Sequence, residues 1–212
     1  MVEPHGERRR FELPRVRDQE SWIDVWQPFF QRVEADAVFE ALCSESSFER
    51  RSIRLFGREV TQPRGIAWAG DLPYTYSRST LDPRPWPSTL QRLRTIVAEV
   101  VGQDYNHALL NLYRDGLDSM GMHSDDEVEL GALPTIVSFS FGVTRHLTVR
   151  AKHENASPEP RHSYRFELAH GDLAVMGGAM QRDYLHGVPK SRKVEGPRLN
   201  VTFRRIVIDS RS

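Results

Sequence analysis

One segment near the end of the chain limits the possible folds more than any other: Arg198-Leu199-Asn200-Val201-Thr202-Phe203-Arg204. Successive side chains of a strand point to opposite faces. Leu199, Val201 and Phe203 therefore share one face, and Arg198, Asn200, Thr202 and Arg204 share the other. Alone, such a strand would sit at a sheet edge with its polar face in water. Here it closes a long series of short strands, and Asn111 and Tyr113 in Leu109-Leu110-Asn111-Leu112-Tyr113 repeat the arrangement. The polar faces are expected to flank one enclosed cavity. Two guanidinium groups and an amide are costly to bury without a counter-anion, and guanidinium grips carboxylates in a two-pronged geometry. A small di-acid would satisfy such a cavity.

The remaining patterning sets the class. Val38, Phe39 and Leu42 predict a helix over residues 34–44. Leu90, Leu93, Ile96, Val97 and Val100 predict a second over 87–101, with Pro87 in its first turn and Gly102 ending it. Strands are predicted over 52–56 and 60–62, flanking a turn at Gly57-Arg58, then over 65–68, 108–114, 135–141, 146–150, 163–168, 173–176, 185–188 and 199–208. Early helices and late strands argue for an α+β chain, a β-sandwich or barrel with helices packed on one face. Residues 1–20, which include Arg8, Arg9, Arg10, Arg15 and Arg17, are expected to be a loosely ordered arm, and residues 21–212 a single domain.

Composition narrows the function. Lys+Arg and Asp+Glu each number 29, so a histone-like protein is excluded, although a local basic stripe toward the C-terminus is not. Lys152, Lys190 and Lys193 are the only lysines, a bias we attribute mainly to codon usage. The single cysteine, Cys43, excludes a disulfide framework and a Cys-rich zinc site; on the first helix it reads as a small buried hydrophobe. No apolar run approaches a membrane span, and residues 1–10 are too charged for a signal peptide. A monomer with no membrane partner is expected, cytoplasmic in a bacterium, nuclear or cytoplasmic in a eukaryote.

Among eight histidines, the tripeptide His-x-Asp occurs twice, as His123-Ser124-Asp125 and His170-Gly171-Asp172. It places an imidazole and a carboxylate on one side of an extended segment. With one more histidine it would form a facial triad, leaving metal positions open for substrate and dioxygen. His186 is the natural third member of the first pair, because these residues and the polar strands flank the same proposed cavity. His170 and Asp172 sit at a turn entering residues 173–176, where Asp172 is expected to hydrogen-bond to backbone. His5, His107, His146, His153 and His162 read as ordinary surface or core side chains. The same ligand types can hold zinc, but a zinc hydrolase would leave the paired arginines without a role.

Five motifs then stand in order: Asn111-Leu112-Tyr113, His123-Ser124-Asp125-Asp126-Glu127, Ser138-Phe139-Ser140-Phe141-Gly142, His186-Gly187-Val188-Pro189 and the Arg198 to Arg204 strand. Over roughly residues 68–206 the chain resembles the AlkB family of iron(II)- and 2-oxoglutarate-dependent dioxygenases. Pro73-Tyr74-Thr75-Tyr76-Ser77 is most similar to the vertebrate-type DNA/RNA demethylase branch. The resemblance implies a double-stranded β-helix (jelly-roll) core and Fe(II) held by His123, Asp125 and His186. It implies 2-oxoglutarate anchored through Asn111, Tyr113, Arg198, Asn200 and Arg204, with Arg198 at the distal carboxylate and Arg204 near the metal-bound end. The implied reaction uses O2 and 2-oxoglutarate to hydroxylate an N-methyl on a base of alkylated DNA or RNA, and the adduct releases formaldehyde. A base must leave its stack to reach a buried metal. Tyr76 and His123 match the family's stacking positions, Tyr74 is their neighbour, and Glu127 matches an acidic position facing the base. The hairpin over residues 52–62, where the family places its nucleotide-recognition lid, is the least alike. The alternatives are the same chemistry on a protein or small molecule, and a jelly-roll binding module without turnover.

Overall fold

The computed structural model describes residues 3–55, 58–76, 79–152 and 163–207. The first half holds β1 (Arg8–Leu13), β2 (Ser21–Trp26), α1 (Arg32–Glu45), the hairpin of β3 (Ser52–Leu55) and β4 (Arg58–Thr61), β5 (Gly65–Gly70), and the hairpin of β6 (Tyr74–Tyr76) and β7 (Ser79–Leu81). Then follow α2 (Ser88–Val101), β8 (His107–Tyr113), β9 (Met120–His123), β10 (Ile136–Gly142), β11 (Arg145–Ala151) and β12 (Ser163–Leu168). The chain continues with β13 (Asp172–Gly178), a short α3 (Met180–Asp183), β14 (Tyr184–Val188) and β15 (Arg198–Arg204). Seven strands form one sheet in the order β1-β2-β13-β10-β15-β8-β5, and four form a second in the order β12-β11-β14-β9. This is the expected jelly roll, with α1 and α2 packed on one face; the short α3 adds Met180 to the core between the sheets.

Strand alternation builds the layers. From β15, Leu199, Val201 and Phe203 point outward, where they join Phe139 and Phe141 of β10 under Val38 and Leu42 of α1 and Leu90, Leu93 and Val97 of α2. The opposite face of the large sheet turns toward the small sheet. There Ile23, Val25, Leu109, Ile136 and Met176 meet Leu147, Val149, Phe166 and Leu168. Part of the space between the sheets is thus apolar; the polar face of β15 lines the rest.

Helix α2 lacks a side-chain cap from its own N-cap, Pro87. Glu45, at the end of α1, substitutes by accepting from Thr89 N at 3.0 Å and Thr89 Oγ1 at 2.8 Å. The helix ends where Gly102 takes φ 72°, a left-handed conformation that favours glycine. Cys43 is half-buried against the outer core, and burial pushes its thiol up, in keeping with an inert apolar role.

Several boundaries differ from expectation. The N-terminal segment is not a loose arm over its whole length: Arg8–Leu13 is a strand paired with β2, and Arg8 and Arg10 both reach the buried carboxylate of Asp24. Strand β15 stops at Arg204, because Asn106 diverts the chain by accepting from Ile206 N at 2.7 Å and donating to Ile206 O at 2.8 Å. Residues 208–212, the hairpin's Phe56 and Gly57, and His153 and His162 lie outside the described residues. Among the described residues, no helix is long and apolar enough to cross a membrane.

Candidate active site

His123, Asp125 and His186 place one ligand atom each within 4.8 Å of one another. Two antiparallel neighbours make this possible: His186 of β14 pairs directly with His123 of β9. The register slips between that pair and Val188–Met120, so β9 carries one extra residue. A bulge of this kind re-aims the side chains beside it. Gly187 is required at this crossing, since a Cβ there would stand 2.9 Å from Met120 O and 3.0 Å from Gly121 O.

The protonation states suit a cation. His123 Nδ1 lies 3.0 Å from Gly121 O, and a carbonyl only accepts, so Nδ1 carries the proton and Nε2 keeps its lone pair. Burial, with His123 close by, lowers the His186 imidazole to about 3 and leaves it neutral. Burial alone would raise the Asp125 carboxyl, but the surrounding charge, Arg204 foremost, overcomes it and holds it at about 2. Arg204 Nη2 donates to Asp125 Oδ1 at 2.8 Å. Oδ2 is buried, meets no hydrogen-bond partner among the described residues and stands 3.9 Å from His186 Nε2. An ionised carboxylate oxygen left bare beside two imidazole lone pairs fits a divalent metal.

The same cavity contains the proposed di-acid end. Asn111, Tyr113, Arg198, Asn200 and Arg204 line it together with the three ligands. Arg198 is 2 % exposed; Nη2 donates to Ser140 Oγ at 2.8 Å, while Nε and Nη1 meet no hydrogen-bond partner among the described residues. A guanidinium does not shed its charge on burial, so the cavity calls for an anion at Arg198. Arg64, also buried, donates from Nε to Asn111 Oδ1 at 2.7 Å. Because guanidinium only donates, that contact turns the Asn111 NH2 away as a free donor. Asn200 lines the cavity too, but its amide is engaged by Ser138 Oγ, Phe139 O and Thr202 Oγ1.

The sequence profile of the 2OG-Fe(II) oxygenase superfamily matches residues 23–204. The chain belongs to this superfamily. Among curated relatives, the bovine alpha-ketoglutarate-dependent dioxygenase alkB homolog 3 is 39% identical over 228 residues, covering 99% of this chain and 79% of the relative. Human DNA oxidative demethylase ALKBH2 is 39% identical over 186 residues, covering 84% and 71%. The solved structure of OsALKBH1 superposes with a TM-score of 0.61 over 86% of this chain and 96% of that one. At 17% identity, that likeness concerns the fold alone.

On the substrate side of this oxygenase, the expected residues separate. Tyr74 has no exposed surface and its ring centre is 4.8 Å from that of His107. Its hydroxyl interacts with the Glu127 carboxyl, which burial, with Asp125 adding, shifts upward. Tyr74 is therefore a buried wall and not an open stacking face. Tyr76 belongs to β6, and its side chain lies outside the described residues. His123 is half-buried and lines the cavity. Asp126 pairs with Lys152 at 2.7 Å. The second tripeptide is structural: Ala169 N donates to Asp172 Oδ2 at 2.7 Å, as expected, and His170 Nε2 stands 3.1 Å from Asp36.

Two buried arginines escaped the sequence reading. Arg64 orients Asn111. Arg145, 2 % exposed, donates to the carbonyls of Asp115, Asp118 and Pro189, bracing the loops beside Tyr113. His107, expected as a surface or core side chain, is a core residue: it stands behind Tyr74 with no exposed surface, and neither ring nitrogen meets a hydrogen-bond partner among the described residues. Burial, then Arg204, lowers it to about 3, so it is neutral.

Proposed function

We propose that the protein is an Fe(II)- and 2-oxoglutarate-dependent oxidative demethylase of N-alkylated bases in nucleic acid, with DNA as the leading substrate. The observation that carries the chemistry is the pairing, inside one cavity, of an Asp125 Oδ2 beside two histidines with an Arg198 whose Nε and Nη1 meet no partner, both among the described residues. The substrate class rests on similarity to relatives named as dioxygenase alkB homolog 3 and as DNA oxidative demethylase. His123, Asp125 and His186 would hold the iron, which with 2-oxoglutarate and dioxygen supplies the oxidation of the methyl group. Arg198 would take the distal carboxylate in its two-pronged grip, and Asn111 and Tyr113 would donate to the cosubstrate. Arg204 holds Asp125 ionised and fixes one of its oxygens, so that the other is offered to the metal. Leu147, Leu168 and Met176 give the cavity an apolar side that keeps water scarce. A base turned out of its stack would enter beside His123, with Tyr76 as its second stacking face and Glu127 beyond.

The test is formaldehyde release from oligonucleotides carrying N-methylated adenine or cytosine, in single- and double-stranded DNA and in RNA, beside methylated free nucleosides and methylated peptides. Release from the oligonucleotides that requires both iron and 2-oxoglutarate is expected. Faster release from peptides or free nucleosides would move the protein to the other substrate class.

A further inference from the structure

Asp125 lies two residues past the end of β9, beyond the reach of that strand's ladder. Its backbone is held from elsewhere. Gln181 of α3, 1 % exposed, accepts at Oε1 a hydrogen bond of 2.9 Å from Asp125 N. Nothing in the hydrophobic packing demands a glutamine at this buried position, and a leucine-like side chain would leave the Asp125 N–H unsatisfied. Outside, Lys152 Nζ donates both to Gln181 O at 3.0 Å and to Asp126 Oδ2 at 2.7 Å. The segment carrying Asp125 is thus fastened to α3 on two sides. The same helical turn leads directly into β14, where His186 stands five residues after Gln181. One short element fixes two ligands, His186 by chain continuity and Asp125 by a side chain. Arg204 then secures the other end of Asp125 through Oδ1.

We propose that Gln181 is a positioning residue for the metal site, setting the reach of Asp125 Oδ2 toward the cation without touching it. The proposal rests on the reading that His123, Asp125 and His186 bind the metal. Partners of metal ligands typically contribute about 10–100-fold in metal affinity, so the effect is measurable without turnover.

Mn(II), which avoids oxidation during titration, is the probe, and calorimetry on the full chain gives its Kd. Wild type is expected to bind one Mn(II), and Asp125→Ala none. Gln181→Met keeps the volume but offers no comparable acceptor, and should weaken binding about tenfold or more. Gln181→Glu keeps an oxygen at the same reach and should restore most of the affinity. Gln181→Asn, one methylene too short to reach Asp125 N, should behave like the Met variant and replaces it if that protein does not fold. Thermal midpoints of the metal-free proteins separate packing from positioning: a packing role would lower the midpoint and leave the Kd of the folded protein unchanged. Wild-type affinity in Gln181→Met or Gln181→Asn overturns the proposal, as does a Gln181→Glu protein no better than Gln181→Met. Failure of wild type itself to bind Mn(II) would instead remove the reading of the metal site, and the proposal with it.

Discussion

At the scale of single residues, charge compensation decides what a substitution costs. Asp125 is both a proposed ligand and the counter-charge of buried Arg204. Asp125→Ala should abolish turnover and also destabilise the metal-free protein by about 3–5 kcal/mol, since one partner of a buried pair is left alone. Asp125→Asn keeps an oxygen facing Arg204 and should lose less stability while still failing in turnover. Urea unfolding of the metal-free proteins measures the difference, and equal stability of all three would mean that the pair contributes nothing. Arg198→Lys retains a charge but loses the two-pronged grip. KM for 2-oxoglutarate should rise markedly and KM for the oligonucleotide should stay nearly constant; the reverse would make Arg198 a phosphate contact. Legibility at this scale followed periodicity. Alternation placed Arg198, Asn200 and Arg204 on one face, and the same alternation through Asn111 and Tyr113 extends back to His107, whose burial it could have disclosed. Arg64 and Arg145 carried no such sign, because a buried arginine bonded to an amide or to loop carbonyls reads like a solvated one until the fold brings its acceptors near.

Among elements, strands with a clean inside and outside were visible: β8, β10, β13 and β15 each send one set of side chains under the helices and the other between the sheets. β2 was hidden because Asp24 interrupts its apolar run, and the arginines that compensate it belong to β1, in a segment whose charge reads as a loose arm. β9 was hidden by its length of four residues, one of them glycine. The α1–α2 junction has a property that sequence did not show. Bonding to Thr89, chiefly to its backbone N–H, holds the Glu45 carboxyl below its ordinary 4.5 despite partial opposition from burial. A carboxyl lowered by folding stabilises fully above its unfolded pKa, and that contribution disappears as pH falls through the folded value. Glu45→Ala should therefore cost about 1 kcal/mol at neutral pH, in the range for loss of an N-cap. The gap in thermal midpoint between wild type and variant should close as pH falls below 4.5. A gap independent of pH would assign the loss to packing.

For the whole molecule, the division of labour between the sheets matters most. The two imidazoles belong to the four-stranded sheet, whereas Asn111, Tyr113, Arg198 and Arg204 belong to the seven-stranded one. Mn(II) with 2-oxoglutarate, bound only by the folded chain, should stabilise it by about 2.7 kcal/mol at a hundredfold excess over Kd. For a chain of this size that is roughly 5–10 °C in the thermal midpoint. Asp125→Ala should show little of this shift, and a full shift in that variant would place the metal elsewhere. A di-acid held by a metal on one sheet and by arginine on the other would also act as a strut between them. Since a 2-oxoglutarate-dependent oxygenation consumes its cosubstrate, every cycle would take that strut away until a fresh molecule enters. Amide hydrogen exchange in β9 and β14 should therefore slow when Mn(II) and 2-oxoglutarate are both present and quicken with succinate in place of 2-oxoglutarate. The four-stranded sheet of this sandwich would tighten and slacken in step with the fuel it burns.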